Sequence, residues 1–248
     1  MYDLIGDVHG CLPELQVLLT RLGYADDLSH QGDRQAVFLG DLVDRGPDSP
    51  GTLRLVMDAV RRQATLCVQG NHDWRLAAYL RGEPVKRSPG LQVSLAQLAG
   101  ETAAFLHDTQ HFLANLPTRL ELDGGRLLVV HAGERADLPD GERERYAVHG
   151  LDTGIQDAHG VMLREDWTPL YTGSALVVSG HTPVVQPVWS AMTSAGGRTV
   201  NIDTGCVFGG ALTALRYPEL ELISESAHHT YARSARLEAA RVGAQAPS

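Results

Sequence analysis

A layered α/β domain is what this sequence predicts, and three observations carry the expectation. Short apolar runs of strand length alternate with amphipathic helical stretches over roughly the first 70 residues, the pattern of consecutive βαβ units. The composition, 43% hydrophobic and 21% charged over 248 residues, is that of a folded globular chain and excludes a disordered segment, a collagen-like fibre and a coiled coil. Nowhere do about 18 apolar residues run together, so no membrane-spanning helix is expected.

Leu4-Ile5 reads as the first strand. Leu12 to Leu22 reads as a helix, with Pro13 near its first turn and Leu15, Leu18, Leu19 and Leu22 on one face. Ala36 to Leu39 is the second strand. After Asp48-Ser49-Pro50, a helix runs from about Thr52 to Arg62 with Leu53, Val56, Met57 and Val60 aligned, and Leu66-Cys67-Val68 is the third strand. Few charges interrupt these runs, as in strands buried on both faces. From Trp74 to Leu116 the pattern is helical, broken by Gly82-Glu83-Pro84 and Ser88-Pro89-Gly90, and reads as a helical insertion (74–116) within one domain spanning 1–224. Further strands are expected at Leu127–Val130, Ala175–Val178 and Val200–Ile202. Residues 134–172 are polar and poorly periodic and read as long loops. Leu212–Tyr217 and Leu220–Ile223 form a hairpin around Pro218-Glu219, and 225–248 is a C-terminal tail, Ala- and Arg-rich and expected to fray.

The formal charge of −9 excludes long-range attraction to nucleic-acid backbones or anionic lipid, so neither an extended nucleic-acid surface nor a membrane partner is expected. Any bound phosphate must be drawn by a local site. Lys86 is the only lysine, so nearly every cation is a guanidinium able to fork onto phosphate. Cys11, Cys67 and Cys206 are odd in number and widely spaced with no CxxC pair, which argues against a disulfide framework or a thiolate zinc site. Together with an N-terminus lacking signal-peptide features, this points to the cytoplasm.

The informative regularity lies just beyond each apolar run. Gly6-Asp7-Val8-His9-Gly10 succeeds the first, Gly40-Asp41-Leu42-Val43-Asp44-Arg45-Gly46 the second, and Gly70-Asn71-His72-Asp73 the third; His131-Ala132-Gly133 and Gly180-His181-Thr182-Pro183 succeed later ones. Each delivers a hard ligand beside glycine, and in an α/β fold such loops gather at the carboxyl ends of strands. Asp7 and His9 point the same way in an extended segment and can grip one ion; Asp41, Asn71, His131 and His181 add a carboxylate, an amide oxygen and two imidazoles. Sulfur-free ligands favour Mn, Fe, Zn or Ni in a catalytic rather than structural site, and six candidates exceed the need of one ion. Two ions sharing a carboxylate is the economical solution. Two carboxylates against two divalent ions leave a cationic centre that wants an anionic substrate, and two such ions suit hydrolysis at phosphorus. Arg45 adds a fork for phosphate oxygens, and His72, oriented by Asp44, can protonate the leaving oxygen.

The series GDVHG, GDLVDRG, GNHD, HAG and GHTP, in that order over about 1–224, resembles the calcineurin-like metallophosphoesterases, more narrowly their phosphoprotein phosphatase branch. The stretch Asn201 to Gly210, with Leu212–Arg216 after it, is similar to the bacterial members: the phosphatase module of polynucleotide kinase-phosphatase and the diadenosine tetraphosphatase group. The resemblance implies two mixed β-sheets sandwiched between helices, a four-layer α/β fold. It implies two divalent ions, manganese first and iron, nickel or zinc as alternatives. Asp7, His9 and Asp41 would hold one; Asp41, Asn71, His131 and His181 would hold the other, with Asp41 bridging. Arg45 would bind phosphate, and His72 with Asp44 would be the acid pair.

The leading functional expectation is a phosphomonoesterase, acting on terminal or 2′,3′-cyclic phosphates of nucleic-acid ends or on nucleotides. Dinucleoside polyphosphate hydrolysis and protein dephosphorylation are alternatives, and a non-catalytic nucleotide or metal sensor ranks last. Asp203, after a strand and before Thr-Gly, either supports a ligand histidine or serves turn chemistry. His30, His107, His111, His149, His159, His228 and His229 are assigned ordinary structural or solvated roles, and Arg164 a solvated charge run. Packing is the first assignment for Trp74, Tyr79 and Trp189, and Cys11 reads as a small buried hydrophobe.

Overall fold

In the computed structural model, which describes residues 1–157, 160 and 162–245, strands β1 (Tyr2–Ile5), β2 (Gln35–Phe38) and β3 (Thr65–Cys67) pair in parallel. Helices α1 (Leu12–Leu22) and α2 (Ser49–Arg61) make the crossovers. Helices α3 (Asn71–Leu80), α4 (Pro89–Leu98) and α5 (Ala103–Ala114) carry the chain to a second sheet, where β4 (Arg119–Leu122) runs antiparallel to β5 (Leu127–Val130). Helix α6 (Asp140–His149) and a two-stranded ribbon, β6 (Asp152–Gln156) with β7 (Met162–Arg164), come next. Then β8 (Leu176–Ser179) joins β5 in parallel, and β10 (Arg198–Asn201) pairs parallel to β8 and antiparallel to the edge strand β9 (Val188–Trp189). The chain returns to the first sheet as β11 (Ala211–Tyr217) and β12 (Glu221–Ser226), both antiparallel, and reaches α7 (Ala235–Gln245). The sheet orders are β12-β11-β1-β2-β3 and β4-β5-β8-β10-β9.

Period-two alternation builds the layers. Leu4, Val37, Leu39 and Val68 of the first sheet meet Val129, Val178, Val200 and Ile202 of the second between the sheets. Their chain neighbours Ile5 and Phe38 face the other way, against Leu15 and Leu18 of α1 and Leu53 and Val56 of α2. On the far side Leu128, Val130 and Val177 pack on Tyr146, Ala147 and Trp167. Helix, sheet, sheet and helix make the expected four-layer α/β architecture.

Local chemistry sets the helix ends. The Asp48 carboxylate accepts the Gly51 N–H at the start of α2, while Ser88 and Thr102 do the same for Leu91 and Phe105 in α4 and α5, each worth about 1 kcal/mol. Helix α1 stops where Gly23 turns left-handed and donates its N–H to Leu19 and Thr20.

Two expectations are corrected. Residues 134–172 are not only loops: they hold α6 and the β6–β7 ribbon. Helix α6 buries just three consecutive residues, Tyr146, Ala147 and Val148, and β6 is exposed throughout, so neither imprints a period on the sequence. The segment after Ser226 does not fray as expected through Leu237, which is buried together with partly buried Ala227 and Tyr231 against α1 and the 206–208 turn. His159 and the last three residues of the expected tail lie outside the described residues. No helix among the described residues is long and apolar enough to cross a membrane.

Parallel register brings the loops together. Ile5 pairs with Phe38 and Phe38 with Cys67, so β1, β2 and β3 end level; Val129 pairs with Val178, so β5 and β8 do too. All five glycine-flanked motifs leave the carboxyl ends of these strands.

Candidate active site

Asp41 lies at the middle of the assembled site. Its Oδ2 faces His9 Nε2 at 3.5 Å, and its Oδ1 faces His131 Nε2 at 3.4 Å. Beyond His131, Asn71 Oδ1 is 3.1 Å and His181 Nδ1 3.0 Å from the same ring nitrogen, and these two are 2.8 Å apart. Asp7 joins by accepting the His181 backbone N–H on both carboxylate oxygens, at 3.1 and 3.3 Å. Thus the structure brings all six expected ligands together. Two groups able to hold an ion, His9–Asp41–His72 and Asp41–His131–His181, share Asp41.

Backbone partners orient the rings. His131 Nδ1 lies 2.8 Å from Leu39 O and His9 Nδ1 2.8 Å from Val43 O, so each ring gives its Nδ1–H to a carbonyl and turns a bare Nε2 inward. His9, Asp41, Asp44, Arg45 and His181 all have positive φ, between 48° and 77°. Among the described residues, half of the non-glycine residues in that region are therefore candidate site residues, strain that the surrounding loops must impose. Gly180 permits a close approach: a Cβ there would collide with Asp7 Oδ1. Gly180→Ala is expected to displace the Asp7 carboxylate and weaken divalent-metal affinity about 10–100-fold, as loss of an orienting contact does, measured by metal titration of the chelator-stripped protein.

The electrostatics fit cations. Burial pushes the Asp7 carboxyl up, and Asp203 and Asp41 push it further; burial likewise leads in raising Asp203 to about 6. Burial would raise Asp41 as well, but His131, His72, His9 and His181 hold it well below the usual carboxylate range. The imidazoles of His9, His131 and His181 are pulled down chiefly by burial, so they stay neutral and keep lone pairs to donate. Crowded buried carboxylates and bare nitrogens about 3 Å apart are the donor set a divalent ion held at about 2.1 Å requires. The residues present therefore fit such ions.

Beside this cluster, His72 Nδ1 sits 2.5 Å from Asp44 Oδ2, while Asp44 Oδ1 accepts the Ser94 hydroxyl at 2.9 Å. The other ring nitrogen, Nε2, is 4.0 Å from Asp41 Oδ2 and faces the site. Arg45 lies over the Phe208 ring, 5.2 Å from its centroid, with Nη1 2.5 Å from His9 Nε2. Asp203 is buried, and its Oδ1 accepts the Gly205 N–H at 3.0 Å, which is turn chemistry.

Sequence reasoning missed several neighbours. Asp73 is buried and its carboxylate accepts N–H groups of Leu42 and Gly70, tying the Asp41 loop to α3. Its only signal was its place at the end of GNHD. Arg164 is not a solvated charge: it is half-buried, donates to His181 O and Thr182 Oγ1, and lines the cavity at the cluster. Trp74 remains 39% exposed at a neighbouring cavity of about 810 Å³, with the His149 ring edge-on 5.0 Å away.

Burial lowers the His149 pKa to about 4. Between that value and 6.5 the folded protein binds fewer protons than the unfolded chain, so this group's stabilisation is complete above 6.5 and fades as pH falls through the window. In chelator, the melting temperature of His149→Gln is expected to fall less than that of the wild type from pH 7 to pH 4.

The model of the calcineurin-like phosphoesterase family matches residues 2–185. A bis(5′-nucleosyl)-tetraphosphatase PrpE [asymmetrical] of Anoxybacillus flavithermus is 40% identical over 234 residues, covering 90% of this chain and 93% of the relative. The Bacillus subtilis protein of the same name is 40% identical over 233 residues, with the same coverage of each. A crystal structure provisionally described as a diadenosine tetraphosphatase superposes with a TM-score of 0.65 at 26% identity, covering 91% of this chain and 92% of that one. The metallophosphoesterase from Sphaerobacter thermophilus shares the fold, with a TM-score of 0.51 at 18% identity over 99% of this chain and 95% of its own.

Proposed function

The chain belongs to the calcineurin-like phosphoesterases, hydrolases of phosphate esters, and we propose that within this family it cuts dinucleoside tetraphosphates asymmetrically, releasing a mononucleotide and a nucleoside triphosphate. The observation that carries the reading is the surplus of guanidinium around the metal cluster. The cavity that contains His9, Asp41 and His72, about 340 Å³, is also lined by Arg45, Arg164, Arg233 and Arg236. A phosphomonoester dianion needs one such fork, whereas a tetraphosphate chain, with about four charges, has use for all of them.

The second cavity supports the asymmetry. It shares Asn71, Asp152, Arg164 and His181 with the cavity at the cluster and holds Trp74 and His149. A nucleoside stacked on Trp74 puts its first phosphate at the cluster and runs the other three along the arginines, so the cut falls after the first phosphate. The relatives' name agrees with this outcome. The phosphomonoesterase expected from the sequence uses the same cluster but leaves the Trp74 cavity and the further arginines without a task.

Asp7, His9 and Asp41 would hold one divalent ion and Asp41, Asn71, His131 and His181 the other, manganese being the expected metal. When bound, such ions supply Lewis acidity that makes a nucleophile of water at neutral pH and offset phosphoryl charge. Arg45 forks the phosphate under attack, and Arg164, held by His181 O and Thr182, steadies the next. His72, its Nδ1 held by Asp44, presents Nε2 to the departing oxygen. Free, buried thiols at Cys11, Cys67 and Cys206 support a cytoplasmic setting.

The test is product analysis on diadenosine tetraphosphate with Mn²⁺, alongside p-nitrophenyl phosphate. AMP and ATP are expected. Two ADP, or negligible cleavage beside strong monoesterase activity, would exclude the reading. Trp74→Ala is expected to raise KM for the dinucleotide about 5–100-fold, the 1–3 kcal/mol of a base stack, and to leave p-nitrophenyl phosphate hydrolysis unchanged.

A further inference from the structure

We propose that Cys11, Glu14 and Cys206 form a third metal position, a thiolate site for a soft closed-shell divalent ion such as Zn²⁺, distinct from the oxygen-and-nitrogen cluster. Cys11 precedes α1, Glu14 lies in its first turn, and Cys206 sits in the turn between β10 and β11. The two sulfurs and a Glu14 carboxylate oxygen all lie within 4.8 Å of one another, and all three residues are buried. Spacing in the sequence concealed the pair because the fold, not a CxxC motif, brings the cysteines together.

The independent mark of a missing cation is Glu14. Its Oε1 accepts the His228 backbone N–H at 2.8 Å and the Tyr231 hydroxyl at 2.9 Å, while Oε2 is buried with no hydrogen-bond partner. A buried carboxylate with an unsatisfied oxygen is costly, and an ion against it would supply the counter-charge.

Charge and chemistry both balance. Two thiols and a carboxylate carry −1; on binding M²⁺ the thiols release two protons to solvent, and the loaded cluster again carries −1. The buried charge is unchanged, so no new desolvation cost arises from net charge. Two thiolates select a soft ion over manganese or magnesium. Zinc ligands at about 2.3 Å for sulfur lie within about 4 Å of one another, so the three side chains need to close by about 1 Å at most. His228 stands outside this group of three, its Nδ1 4.0 Å from Glu14 Oε1 and its Nε2 3.6 Å from Glu225 Oε1.

The ion would act as a clasp. Glu14 belongs to α1, Cys206 to the turn after β10, and His228 and Tyr231 to the segment leading to Arg233, Arg236 and α7. Closing the clasp holds against the body of the protein the arm that carries two of the four cavity arginines. This inference does not depend on which phosphate ester is cut.

Cobalt tests it, because sulfur ligands give Co²⁺ an intense near-ultraviolet charge-transfer band that oxygen and nitrogen ligands do not. Reduced, chelator-stripped full-length protein titrated with Co²⁺ without oxygen is expected to develop that band to one equivalent per chain. Zn²⁺ should displace it. The band should vanish in Cys11→Ser and Cys206→Ser and persist in Cys67→Ser and Asp41→Asn; Glu14→Gln should weaken Co²⁺ binding at least tenfold. No sulfur band in the wild-type protein at saturating Co²⁺ overturns the proposal whatever the variants do, and so does a full band in Cys206→Ser.

Discussion

Asp41→Asn is expected to lower turnover about 1,000-fold or more and to reduce metal occupancy at both positions, while leaving the fold intact. The geometry is the reason: Oδ2 looks toward His9 and Oδ1 toward His131, so one side chain faces both ligand groups. The amide keeps the size of the carboxylate and an oxygen for the His72 N–H that Oδ1 now accepts at 2.9 Å, so the loop has no steric cause to move. What it removes is a negative charge held well below the carboxylate range by four surrounding imidazoles. A metal ion contributes several kcal/mol to a phosphoryl-transfer barrier, and each 1.4 kcal/mol is about tenfold in rate. Elemental analysis after gel filtration checks the cause. Two ions per chain in a slow Asp41→Asn protein would remove the bridging role; loss from one position alone would confine Asp41 to a single ion.

The same variant bears on stability. Without ions, Asp7, Asp41 and Asp203 face one another in a buried space, and burial with mutual repulsion already raises Asp7 and Asp203. An ion present at 100 times its dissociation constant adds about 2.7 kcal/mol, which for a chain of this size is roughly 5–10 °C in melting temperature. Chelation of the wild type is therefore expected to lower its melting temperature by that much or more. Chelation of Asp41→Asn should change it far less.

Strand-end motifs were legible because they combine two strong local signals, a buried apolar run and a glycine that lets the chain turn beside a polar ligand. Asp7, His9, Asp41, Asn71, His131 and His181 are recognisable in the sequence alone, since a layered α/β topology brings such ends to one place. The groups that surround them lack that signal. Arg164 is reached through a short exposed ribbon, and its partner Thr182 lies on another strand end, so nothing near it in the chain distinguishes it from a surface charge. Trp74 on α3 and His149 at the end of α6 meet although a whole sheet hairpin separates them in the chain, and Cys11 meets Cys206 across most of its length. Helix α6 was illegible for a different reason: a helix that buries one short patch under Trp167 need not be amphipathic.

His72→Ala should separate substrates by their leaving groups. An alkyl phosphate departs as a strongly basic alkoxide and needs a proton, so its hydrolysis is expected to slow about 100–10,000-fold, the usual worth of a positioned general acid. p-Nitrophenolate and a nucleoside triphosphate are weakly basic and leave nearly unaided, so their release should slow less than about tenfold. The contrast matters because His72 Nε2 stands 4.0 Å from Asp41 Oδ2 and the ring belongs to a group able to hold an ion. If His72 were a ligand, its loss would slow every substrate alike and lower metal occupancy. If it is the acid, occupancy stays and the dependence on leaving-group basicity steepens. Asp44→Asn supplies the matching arm. The ring would lose the negative charge that favours its Nδ1–H tautomer, and alkyl phosphates should slow about 10–100-fold with metal retained. An enzyme whose natural leaving group is a triphosphate has little need of this pair, so a large alkyl-phosphate effect beside a small tetraphosphate effect would mean that the His72–Asp44 pair serves a broader range of esters than the arginine-lined cavity selects.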